Sequence, residues 1–174
     1  MIKQKHKKHK KMKKAMMMMA ALMLALTVSA QSAPKVEEGQ DAPEFSLTAL
    51  DGSTMKLSSL RGKFVVLDFW GSWCANCIKG FPEMATYYEK YKEKMEIVGV
   101  DCNDTEARWK AAVEKHNCPW KHVRQVRGEG DQVTVMYGVK AFPTKVIITP
   151  EGKVAKVVVG EDPAFYTILD ELLK

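Results

Sequence analysis

The segment Val65-Val66-Leu67-Asp68-Phe69-Trp70-Gly71-Ser72-Trp73-Cys74-Ala75-Asn76-Cys77 decides how the rest of the chain is read. Residues 64–69 form a short apolar run of β-branched and aromatic types with one Asp in it, which predicts a buried strand. Gly71 and Ser72 break that run. Beyond Cys74, the residues Met84, Ala85, Tyr88 and Tyr91 recur at helical spacing and predict an amphipathic helix whose N-terminus carries the first cysteine.

Unpaired N–H groups and the macrodipole at a helix start favour negative charge, so Cys74 sits where a thiolate is stabilised, and thiolate is the species that attacks a disulfide. Faster attack is the smaller benefit, because a less basic sulfur is also a weaker nucleophile. The larger benefit is that a stabilised thiolate leaves readily when Cys77 attacks the mixed disulfide. A two-residue spacer lets one helical turn bring the sulfurs together, with Cys74 attacking and Cys77 resolving. The same pair could be a purely structural disulfide or half a zinc site. Zinc needs two more ligands, and no second C-x-x-C or H-x-x-x-H occurs, so no metal is expected.

The run Asp68–Cys77, Pro82 five residues later, and Phe142-Pro143-Thr144 together resemble the thioredoxin superfamily. The flanking segments Gly39 to Leu47 and Leu57 to Gly62 resemble its secreted TlpA/ResA-like branch, and the similarity spans residues 39–174. The resemblance implies an α/β thioredoxin-like fold, a mixed central sheet flanked by helices, with an N-terminal β-hairpin and a central α/β insertion from Asp101 to about Gly130. It implies a thiol:disulfide oxidoreductase without cofactor, acting on protein thiols or disulfides through a redox-active Cys74–Cys77 disulfide. Relatives in this branch are mostly reductants fed by a membrane electron donor, which tilts the expected direction toward reduction.

Further roles follow from the same resemblance. Asp68, costly to bury unless protonated or bonded, would be the base that takes the Cys77 proton, unless it reaches solvent at a sheet edge. The branch usually places a glutamate three residues after the second cysteine and a neutral residue at the position of Asp68. This chain has Gly80 there, so the acid has changed sides. Phe142–Pro143 would be a cis bond facing the dithiol, with the Phe142 backbone pairing with substrate. Trp73 and Trp70 would form an apolar rim, although core packing explains Trp70 equally well.

Two other readings share parts of this pattern. Peroxidases of the peroxiredoxin or glutathione-peroxidase kind have the fold, but peroxiredoxins carry Thr three residues before the reactive cysteine, where this chain has Gly71. Copper chaperones of related fold space their cysteines by three residues and add a downstream His, which this spacing disfavours.

The chain's 174 residues suit one domain, and its formal charge of +6 invites a nucleic-acid or membrane reading. That reading fails, because eight of the 27 basic residues lie within residues 1–30, leaving 19 basic against 21 acidic residues in the remainder. The cationic start, the apolar stretch from Ala15 to Val28 and the small residues Val28-Ser29-Ala30 have the form of a secretory signal cleaved before Gln31. The apolar core is short for a membrane span, leaving an uncleaved anchor as the lesser alternative. Residues 31–38 read as a linker and 39–174 as the domain, placing the thiols in the periplasm or outside the cell.

Elsewhere, Phe45 to Leu47 and Met55 to Leu57 flank Asp51-Gly52 as a hairpin at the sheet edge. Glu96 to Val100 reads as a second core strand. Asn103 or Asp104 can cap a helix over 105–116, and Val123 to Val126 a short strand. Asp131 to Tyr137 reads as a short helix, Thr144 to Ile148 and Val154 to Val159 as a hairpin, and Asp162-Pro163 as the start of a last helix. Cys102 and Cys118 flank a helix of about 18 Å, too far apart for a bridge, so both are expected to be free thiols. His116 and His122 read as surface or packing residues.

Overall fold

The computed structural model describes residues 36–174. The leader expected over residues 1–30, and residues 31–35 of the linker, lie outside the described residues. Val36 is already buried, and Glu38 pairs with Lys156 at 2.7 Å.

Among the described residues, seven strands form one mixed sheet in the order β2-β1-β5-β4-β3-β6-β7. They are β1 (Ser46–Ala49), β2 (Thr54–Lys56), β3 (Phe64–Trp70), β4 (Met95–Cys102), β5 (Lys121–Gln125), β6 (Thr144–Ile148) and β7 (Val154–Val159). The helices are α1 (Ala75–Tyr91), α2 (Glu106–Lys115), α3 (Val133–Met136) and α4 (Ala164–Leu173). Strands β3, β4 and β5 run parallel, while β1, β6 and β7 run antiparallel to their neighbours.

Strand alternation divides the apolar residues between the two faces. Val66, Trp70, Ile97 and Ile147 join Phe81 and Met84 of α1, Trp109 of α2 and Phe165 and Leu169 of α4 in one core. Val65, Leu67, Phe69, Val98, Val100 and Cys102 face a second core with Phe45, Leu57 and Val133. β3 carries almost no exposed residue because both of its faces are covered.

The thioredoxin-like α/β fold is as expected, with local corrections. Thr105, not Asn103 or Asp104, caps α2, its side chain accepting the Arg108 N–H. The Asp104 carboxylate is engaged elsewhere, on Ser72. Trp70 is fully buried and belongs to the core rather than to any rim. The insertion supplies α2 and β5, and β5 lies inside the sheet between β4 and β1. Cys102 and Cys118 are both buried and free.

Candidate active site

β3, an interior strand between β4 and β6, hands the chain to α1 through Gly71, Ser72 and Trp73. Cys74 is the N-cap of α1, and its sulfur accepts the Cys77 N–H at 3.2 Å. The Cys74 N–H donates to the Gly71 carbonyl at 2.9 Å, and the Ile78 N–H to the Cys74 carbonyl at 3.2 Å. One turn of helix thus sets the two sulfurs side by side. They are joined, with S–S 2.08 Å and Cα atoms 5.3 Å apart. Cys77 is the more deeply buried of the two, 2% exposed against 7%.

A Cβ at position 71 would stand 2.4 Å from the Trp73 indole nitrogen, so glycine is what lets the indole fold back there. That nitrogen donates to the Cys102 carbonyl at 3.0 Å, and the ring meets Phe142 edge-on at 5.0 Å between centroids. Trp73 nonetheless stays 47% exposed. The Phe142–Pro143 bond is cis. The two loops flagged in the sequence therefore meet through an aromatic contact beside the disulfide. A cleft of about 250 Å³ opens on another side, between Ser72 and Ile78 and the Arg108, Ala112, Lys115 and His116 side of the insertion helix.

Asp68 is 1% exposed, in the middle of the sheet, which removes the sheet-edge alternative. The register pairs it with Lys145 on β6 and Gly99 on β4, and pairs Gly99 with His122 on β5. Directly paired residues share a face, so Lys145, Asp68 and His122 form a buried polar row on the face that carries Cys77. Lys145 Nζ lies 3.8 Å from Asp68 and 2.9 Å from Glu161. Burial pushes the Asp68 carboxyl up to about 6, with Lys145 opposing and Glu161 adding to the rise. Burial pushes the His122 imidazole down to about 4. A Cβ at Gly99 would sit 2.6 Å from His122 Nδ1, so this glycine makes room for the ring.

A second carboxyl pair supports the loop ahead of Cys74. Asp104 accepts the Ser72 N–H at 2.6 Å and its hydroxyl at 2.7 Å, with Arg108 at 3.5 Å. Burial, and then the neighbouring Asp104, push Asp101 up to about 8. Burial works against the charge of Asp104, but Asp101, Ser72 and Arg108 hold its carboxyl below the ordinary value.

The sequence singled out Asp68, Trp73, Cys74, Cys77, Phe142 and Pro143 as site residues, but not Lys145, Glu161 or Asp101, and it gave His122 a packing role and Asp104 a capping role. Lys145 carried the same signal as Asp68, a charge inside an apolar strand. Glu161 carried none. Among the described residues no cluster of His, Cys, Asp or Glu could hold a metal ion.

A thioredoxin-like sheet that presents a two-residue-spaced disulfide at a helix start defines a thiol:disulfide oxidoreductase. More particularly, the chain belongs to the AhpC/TSA family, which it matches over residues 38–157. It is 37% identical over 128 residues to thiol-disulfide oxidoreductase ResA of Bacillus thuringiensis (strain Al Hakam), covering 73% of this chain and 72% of the relative. It is 39% identical over 126 residues to ResA of Bacillus subtilis (strain 168), covering 72% and 69%. The solved thioredoxin domain of a thiol-disulfide oxidoreductase from Bacteroides vulgatus matches with a TM-score of 0.72 at 27% identity, covering 80% of this chain and 100% of that one. The enzyme class and fold expected from the sequence are those of these relatives.

Proposed function

We propose that this enzyme works outside the cytosol as a reductant of protein disulfides. The reduced Cys74 thiolate attacks a substrate disulfide, forming a mixed disulfide and releasing one substrate thiolate. Cys77 then gives its proton to Asp68, and its sulfur attacks the Cys74 sulfur. The Cys74–Cys77 disulfide closes, the second substrate thiolate leaves, and the substrate has gained two electrons. Trp73 and the Phe142–Pro143 turn receive the substrate strand. A thiol-bearing membrane donor returns the enzyme to the dithiol form.

The observation that carries this reading is the placement of Asp68: a buried carboxylate on the sheet face that carries the resolving cysteine, with a proton affinity raised into the working range of a base. Export is supported by the cationic and apolar start of the sequence. The Ala75-Asn76 spacer has neither the His of strongly oxidising motifs nor the Pro of thioredoxin's, so reduction is supported by the resemblance to a branch whose members are mostly reductants. A peroxidase reading is opposed at Gly71, where a threonine side chain would collide with the Trp73 indole.

The direction of electron flow is tested by equilibrating the Cys74/Cys77 couple against glutathione buffers. A potential near about −270 mV fits a reductant, and one near about −120 mV overturns that direction. Recovery of the mature N-terminus from the periplasmic fraction tests the location.

A further inference from the structure

The polar row behind the disulfide holds one ammonium, Lys145, and one carboxylate, Asp68, and a second carboxylate, Glu161, reaches the ammonium from a loop. Lys145 is buried in β6, and its Nζ stands nearer Glu161 (2.9 Å) than Asp68 (3.8 Å). The first distance is a charge-assisted hydrogen bond, and the second is an ion pair without one. Neither Asp68 oxygen has a hydrogen-bond partner among the described residues. Glu161 comes from the connection between β7 and α4, and its side chain is 28% exposed while Lys145 is 2%. The connection is pinned where it leaves β7, because the Gly160 N–H donates to the Pro143 carbonyl at 2.8 Å.

Glu161 reaches this place because residue 80 has no side chain. A Cβ on Gly80, one turn past Cys77 on α1, would fall 2.4 Å from Glu161 Oε1 and 2.6 Å from its Cδ. The carboxylate thus occupies the volume of a missing side chain on the helix that carries both cysteines.

We propose that Glu161 is a positioning residue for the resolving step. Admitted beside α1 by Gly80, it draws the Lys145 ammonium away from Asp68 and so keeps Asp68 basic enough to take the Cys77 proton. A lysine bonded fully to Asp68 would hold that carboxylate in its charged form and weaken it as a base. Sharing the ammonium avoids this while still compensating the buried negative charge. The other titratable groups on this face of the sheet near Asp68 are Cys77 from α1, Tyr166 from α4, His122 from β5 and the Cys118 thiol, whereas Cys102 lies on the opposite face. None of them is a second cation that could replace Lys145.

This inference rests on Asp68 being the base, and the experiment separates the two. The reduced protein is charged at Cys74 with 5-thio-2-nitrobenzoate, and release of that thiol as Cys77 attacks is followed by stopped flow from pH 4.5 to 8.5. Wild type is expected to show an acid limb near pH 6, the Asp68 value. Glu161→Gln and Gly80→Ala should each move that limb down by about one pH unit, and Lys145→Met should move it up. Gly80→Ala keeps every charge and collides only with the far end of a flexible side chain, so loss of the fold does not confound it. If Asp68→Asn abolishes the limb while Glu161→Gln and Gly80→Ala leave it in place or raise it, Glu161 has no such role. If the limb survives in Asp68→Asn, Asp68 is not the base and both ideas fall.

Discussion

The Cys77 N–H donates to the Cys74 sulfur at 3.2 Å, so the resolving residue's own backbone supports the sulfur that it later attacks. In the dithiol form the same N–H would point at a thiolate, as the first free donors of a helix do. Cys74 should therefore be the sulfur that alkylates first. Brief iodoacetamide treatment of the reduced protein at neutral pH, followed by peptide mass spectrometry, is expected to label Cys74 ahead of Cys77, Cys102 and Cys118. A Cys77→Ser variant should accumulate mixed disulfides with its substrates, and Cys74→Ser none. Equal labelling of the four thiols would contradict the assignment.

Asp68 and His122 titrate in opposite senses within one pH window. The folded-state value of Asp68 is raised to about 6, so its favourable contribution is full below its unfolded value of about 3.8 and is lost as pH rises through 6. His122 is lowered to about 4, so its contribution is present above about 6.5 and lost as pH falls toward 4. Each swing is worth about 3 kcal/mol, and in the wild type they nearly cancel between pH 4 and 6.5. Urea denaturation should show Asp68→Asn about 3 kcal/mol more stable than wild type at pH 7.5 and about equal at pH 4. His122→Leu should gain stability on acidification over that range. Parallel pH profiles for all three proteins would refute this account.

Loss of the Asp68 carboxylate should also cost rate. Resolution of the Cys74 mixed disulfide is expected to slow by about 10²-fold in Asp68→Asn at pH 7, the usual worth of a positioned base. The variant would thus be sturdier and slower. Stopped-flow release of the captured thiol gives the rate, and an unchanged value would remove Asp68 from the chemistry.

The Asp101–Asp104 pair predicts a stability that falls from acid to neutral pH. The Asp101 value is raised from 3.8 to about 8, so its stabilising contribution is full below about pH 4 and is lost as pH rises to 8, by which point two carboxylates face each other under the Ser72 loop. Wild type should lose stability between about pH 4 and 8 and then level off, and Asp101→Asn should lose less over that range. Asp104→Ala leaves the Ser72 N–H and hydroxyl without their acceptor and should destabilise by about 2 kcal/mol. Thermal unfolding across that pH range measures both effects.

The Trp73–Phe142 contact links the disulfide loop to the cis-proline loop. Trp73→Ala should raise KM for a protein disulfide severalfold while leaving reduction of a small aromatic disulfide nearly unchanged. A drop in kcat on both substrates would instead mean that the indole shapes the Cys74 loop through its bond to Cys102.

The sheet and the dithiol helix were legible because each leaves a local mark, an apolar β-branched run and helical periodicity after a C-x-x-C, whereas the cis bond at Pro143 followed only from the family resemblance. The polar row was half legible. Asp68 stood out as a charge in an apolar strand, and Lys145 in Thr144–Ile148 broke the same rule unremarked. Glu161 could not be found this way, because nothing local ties a loop residue before α4 to Gly80, 81 positions earlier. The cap of α2 was misplaced because Asp104 has capping chemistry, but Ser72, distant in sequence, took its carboxylate.

Among the described residues, β1 joins the rest of the sheet through β5, which pairs Thr48 with Arg124 across 76 positions of chain. The amino-terminal hairpin therefore has no strand of the main sheet to pair with until the polypeptide is complete through the insertion. Closing so large a loop comes at a cost in entropy that no earlier contact offsets, so this edge should assemble last during refolding. Pulse-labelled hydrogen exchange would then find the amides of β1 and β2 the slowest to gain protection, after the parallel strands beside the disulfide have already closed.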